Sequence, residues 1–90
     1  MTMVKKRLTN EKSNAEFAGF VHRVLRAHAR RIAAGDVEAL VDLVQLSAGV
    51  DQAIADAVVG LREFGYSWSE IAGRLGISKQ AAQQRWGGRS

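Results

Sequence analysis

Tyr66-Ser-Trp-Ser-Glu-Ile-Ala-Gly-Arg-Leu-Gly-Ile-Ser-Lys-Gln-Ala-Ala-Gln-Gln-Arg-Trp86 is the stretch whose reading decides the fold. Ser67 and Glu70 stand three residues apart, the spacing of a capping box in which hydroxyl and carboxylate each satisfy a backbone N–H left unpaired by the first helical turn. A helix is therefore expected to begin at about Trp68. Ile71, Ala72 and Leu75 recur at helical spacing and share one face. Gly76 can take the left-handed conformation that ends a helix, with Ile77 folding back onto the apolar side. Ser78 is placed to cap a second helix from Lys79 to about Trp86. Two helices this short cannot bury both apolar faces by themselves, so a third helix is required behind them.

The phrase Glu70-Ile-Ala-x-x-Leu-Gly-Ile-Ser-x-Gln resembles the DNA-binding helix-turn-helix of bacterial regulators and of the promoter-reading domain of sigma factors. With Ser78 to Trp86 added, it also resembles small helix-turn-helix proteins common in actinobacteria. The matching positions are the small Ala72, Gly76 in the turn, and Leu75 and Ile77 on either side of it, in a resemblance covering about a quarter of the chain. The sequence departs from the pattern at Ala82, where many members are β-branched, and at Arg85, where they are small or apolar. The second helix is accordingly expected to seat mainly through Trp86.

The resemblance implies double-stranded DNA as partner, with the second helix in the major groove and its first turns toward base edges. Lys79, Gln80, Gln83 and Gln84 are then the expected base-reading residues, since lysine suits guanine acceptors and glutamine can pair bidentately with adenine. Ser67, Ser69, Arg74, Ser78, Arg85 and Arg89 are the expected backbone contacts, through hydroxyls, helix N-termini or charge. Ala81 and Ala82 allow close approach, either to a thymine methyl or to the preceding helix. A polar solvent face is the bland alternative for the glutamines.

Ninety residues make one small domain that buries only roughly 60% of its unfolded surface, too little for an enzyme with a deep pocket. No glycine-rich phosphate loop, paired metal ligands or nucleophile with a base occurs, so no enzyme, cofactor or metal is expected. Cysteine is absent, no apolar run approaches the roughly 18 residues of a membrane span, and no signal segment is read at the start, so a cytoplasmic protein is expected. Proline is absent too, alanine is abundant, and the apolar residues are periodic, which predicts an all-α chain of four to five helices.

The net charge of +4 is unevenly spread. Residues 1–31 carry +6, residues 32–66 carry −5, and residues 67–90 carry +3. Basic ends around an acidic middle suit a protein that turns basic surfaces toward phosphate. Pairing of basic and acidic helices within the chain is the plainer account, and the two are compatible because exposed pairs are worth only about 0–1 kcal/mol.

Residues 1–12, with Lys5, Lys6, Arg7 and Lys12, read as a disordered basic arm, either on DNA or simply solubilising. Ser13 and Glu16 form a second capping-box pattern, expected to open a helix that runs to Ala34 and closes at Gly35. Its apolar stripe is Phe17, Val21, Val24, His28 and Ile32, with Phe20 and Leu25 beside it, while Arg23, Arg26 and Arg30 line another side. His22 lies roughly 240° around the helix from His28, so the two cannot share a metal. Asp36 is the expected cap of the next segment, which keeps one apolar phase from Val37 to Phe64. A break near Gly49 is expected there, with Asp51 capping a new helix, so that residues 13–50 form N-terminal helices and residues 51–90 the helix-turn-helix unit. Leu61, Phe64, Trp68, Leu75 and Trp86 are its expected core. The apolar surface left over on residues 13–50 is expected to pack in a hairpin or, preferably, in a homodimer. A non-specific architectural DNA coat, or a module docking on RNA polymerase or another protein, are the other readings.

Overall fold

The computed structural model describes residues 11–89, with side chains from Ser13 to Gly88; residues 1–10 of the basic arm and the Arg89 side chain lie outside the described residues. All regular structure in them is helical. Helix α1 spans Glu11–Ala33, a 3-10 turn spans Val37–Ala39, α2 spans Leu40–Phe64, α3 Trp68–Leu75 and α4 Lys79–Trp86, followed by a 3-10 turn at Gly87–Arg89. The class is all-α with four helices.

Helix α1 starts two residues before the expected cap, which leaves Ser13 inside it. Glu11 and Lys12 are both good helix formers, so nothing in the sequence stops the helix at Ser13. At its other end the Gly35 and Asp36 N–H groups donate to the Ile32 carbonyl at 3.0 and 2.9 Å. Asp36 caps the segment that follows, its Oδ1 accepting from the Ala39 N–H at 3.3 Å.

The expected break at Gly49 is absent: α2 runs through it for 25 residues. An interior glycine costs about 1 kcal/mol relative to alanine, whereas ending a helix there would leave up to four carbonyls and four N–H groups to be satisfied elsewhere. The described residues nevertheless fall into two compact units whose boundary lies within α2, one up to Ala48 and one from Gly49 onward.

In the unit from Gly49, the core consists of Ala55 and Val58 from α2, Ile71 and Ala72 from α3, and Ala82 and Trp86 from α4, with Tyr66 and Trp68 packed against it. The second half of α2 is thus the third helix that α3 and α4 need. The expected core is corrected at three positions: Leu61 is 41% exposed, Leu75 is 52% exposed, and Phe64 is half-buried outside the core, its ring 6.2 Å from that of Tyr66. Each step of three residues rotates about 60° short of a full turn, so a row that buries Ala55 and Val58 has swung Leu61 out of contact. Leu75 lies on the right face but is the last residue of α3, where the turn carries the chain away.

The local signals around the turn hold in detail. Ser67 Oγ accepts from the Glu70 N–H at 3.0 Å, and Glu70 Oε1 accepts from the Ser67 N–H at 2.9 Å. Gly76 has φ +72° and ψ +27°, its N–H reaching back to the carbonyls of Ala72 and Gly73, while the Ile77 N–H donates to Ala72 at 3.1 Å. A Cβ at Gly76 would meet no atom within 4 Å, so the demand for glycine here is purely one of backbone conformation. Gly76→Ala is expected to cost about 1 kcal/mol in chemical denaturation, the left-handed penalty alone; a neutral result would show that the turn relaxes without loss.

Candidate nucleic-acid interface

Helix α4 has two unlike sides. Ala82 and Trp86 are one turn apart and buried, Ala82 at 0% and Trp86 at 7% exposure. Ala82 is therefore the close-approach residue toward the preceding helix, and α4 seats through both positions rather than through Trp86 mainly. Bulk from a β-branched side chain is replaced here by direct proximity of the two helices, with Ala72 on the α3 side at 2% exposure.

Every other side chain of α4 is exposed. At about 100° per residue, Gln80 and Gln84 point directly away from the buried pair, with Ala81 beside them. Gln83 and Arg85 lie on its two flanks, while Lys79 falls nearer the buried side and is exposed as the first residue of the helix. The four residues expected to read bases are thus all accessible on one short helix, but they are not equivalent: Gln80 and Gln84 project outward, Gln83 sideways, and Lys79 toward the buried side at the helix start.

The start of α4 is anchored by Ser78, whose Oγ accepts from the Ala81 N–H at 3.0 Å. Ser67 plays the same part for α3. In both, the hydroxyl oxygen serves the cap and its proton remains to donate. Ser69 is exposed in the first turn of α3, and Arg74 is exposed in the last turn, its Nη1 3.5 Å from the Glu70 carbonyl. Arg85 holds its guanidinium 5.2 Å from the Trp86 ring centroid. The expected backbone contacts therefore gather at three places: the N-terminus of α3, the turn between the helices, and the last turn of α4.

Arg62 is a residue that sequence reading left in the acidic middle. Its Nη1 donates to the Tyr66 carbonyl at 3.2 Å and its guanidinium lies 5.0 Å from the Trp68 ring centroid, which brings a cation to the N-terminal end of α3. The i to i+4 spacing from Arg62 to Tyr66 across a helix-ending Gly65 was the available signal. Asp51, Ile54 and Ala55 of α2 line a shallow, open cleft with Arg85 and Trp86. Among the described residues no three His, Asp or Glu side chains are grouped to hold a metal ion, and no helix is long and apolar enough to cross a membrane. No protein-family model matches the chain, and no curated protein or solved structure is significantly similar to it.

Proposed function

We propose that the chain is a sequence-specific double-stranded DNA-binding protein of the helix-turn-helix kind, acting as a transcriptional regulator by occupancy of its site. The observation that carries the reading is the division of α4: two residues bury one side, and the opposite side offers Gln80 and Gln84, flanked by Gln83 and Arg85. Glutamine amides in that position match adenine edges, and Lys79 matches guanine acceptors. Ser67, Ser69, Ser78, Arg74, Arg85 and Arg89 would hold the backbone, Arg62 joining them at α3. No cofactor or catalytic step belongs to this reading, and it carries a cytoplasmic location with it.

Selection of duplexes from a random library at near-physiological salt, followed by fluorescence anisotropy, tests it. A defined motif is expected. Gln84→Ala should then lose about 1–3 kcal/mol at the preferred duplex and nothing on random duplex, whereas Arg85→Ala should weaken both and flatten the salt dependence by roughly one phosphate contact. Tight, salt-sensitive binding without enrichment would turn the reading into an architectural coat. Absence of binding would leave the module docking on RNA polymerase or another protein.

A further inference from the structure

No residue between Ser13 and Ala48 is buried. Phe17, Phe20, Val21 and Val24 share one side of α1 over two turns and stay 38 to 67% exposed, which leaves an apolar surface uncovered on a basic helix. The four arginines of α1 divide around that side. Arg31 continues the row of Phe20 and Val24 toward the end of the helix, Arg23 and Arg30 stand along one edge, roughly 110–130° from the centre of the apolar side, and Arg26 lies opposite it. All four are exposed, and Glu16 is the one acid among residues 13–33, a balance of +3. A helix with such a side is marginal in water alone, since most helical stability in proteins comes from packing the apolar face.

We propose that α1 lies on an anionic lipid surface, with Phe17, Phe20, Val21 and Val24 in the boundary between headgroups and acyl chains, as a surface contact and not a span. The order of the layers identifies the occupant. A helix in that boundary has hydrocarbon beneath it and phosphate at its sides. Helix α1 has the matching arrangement, an apolar side with arginines along its edge and at its end. Nucleic acid would meet the arginines and leave the apolar side in water. The long arginine stems let Arg23, Arg30 and Arg31 reach headgroups while their methylenes stay against the apolar layer, whereas Arg26 adds only attraction at a distance. Asp36, Glu38 and Asp42 follow Gly35, so the footprint ends with α1. Two apolar turns and three arginines within reach make a weak, reversible contact. It is independent of the DNA reading and is tested without DNA.

Co-sedimentation of the full chain with vesicles of phosphatidylglycerol and phosphatidylcholine should show binding that weakens with salt and is about tenfold or more poorer on phosphatidylcholine alone. Phe17→Gln, near the centre of the apolar side, should cost about tenfold, and Ala15→Gln, on the opposite side of the same helix, should leave binding unchanged. Arg31→Gln should cost about fivefold and Arg26→Gln less. Phe17→Trp places an indole on the apolar side, whose emission should shift to the blue and be quenched by bromine-labelled acyl chains. Trp68 and Trp86 of the unsubstituted chain, both in the unit from Gly49, should show neither change. Absence of binding to the anionic vesicles overturns the proposal, as does equal binding to phosphatidylcholine alone. Binding indifferent to Phe17→Gln, with no quenching of the introduced indole, would place the contact on the basic C-terminal unit and also overturns it. So would self-association that excludes vesicles, which gives the face to a second copy, or protection of residues 17–24 by duplex, which gives the helix to DNA. Vesicle binding without duplex binding would sink only the DNA reading, and duplex binding without vesicle binding only this one.

Discussion

Trp86→Ala is expected to abolish the cooperative unfolding of residues 49–90. Three of the six buried residues there are alanines, and the others are Val58, Ile71 and Trp86, so the indole supplies the largest apolar surface in the core. Truncating a buried tryptophan costs about 3–5 kcal/mol. A unit of this length holds only roughly 2–6 kcal/mol at the per-residue stability of small domains. The loss is thus comparable to the whole. Both tryptophans of the chain lie in this unit, so emission from Trp68 in the variant reports on it directly. A cooperative melt retained within a few degrees of the parent would show that Trp86 covers the core without supporting it.

Val58→Asp is the second large effect expected. Val58 is 4% exposed on α2 and faces α3 and α4, and no buried cation is available to meet a carboxylate there. An unpaired ionised group in such a place costs several kcal/mol, or forces its own protonation and the structure open. Ala57→Asp, one residue away on the exposed side, should cost only the difference in helix propensity, about 0.7 kcal/mol. Equal denaturation midpoints for the two variants would show that α2 does not serve as the third helix. If Val58→Asp unfolds α3 and α4 while circular dichroism retains part of the helix signal, the boundary near Gly49 separates units of different stability.

The distinction between neighbouring residues runs through the chain. Ser67, Glu70, Gly76 and Ser78 declared the ends of α3 and α4 because caps are made within three or four residues and need no distant partner. Asp36 declared its turn for the same reason. Ser13 did not behave as a cap, although its spacing to Glu16 was right, because the preceding residues are themselves competent to continue a helix. Gly49 and Asp51 gave a plausible local end that the backbone hydrogen bonds of α2 overrode.

Sequence by itself determined the all-α class, the two short helices and their turn, the apolar phase of α2, and the set of polar side chains that α4 presents. These follow from propensity, capping and periodicity, which act over a single turn. Only the tertiary structure decided that Ala55, Ala72 and Ala82 are core while Leu61 and Leu75 are not, that Gln80 and Gln84 project from α4 more directly than Lys79 and Gln83, and that Arg62 serves the start of α3. Those outcomes depend on which part of a helical face meets another helix. An alanine has the same side chain wherever it stands, and its burial is set by the distance of a neighbour that no local spacing records.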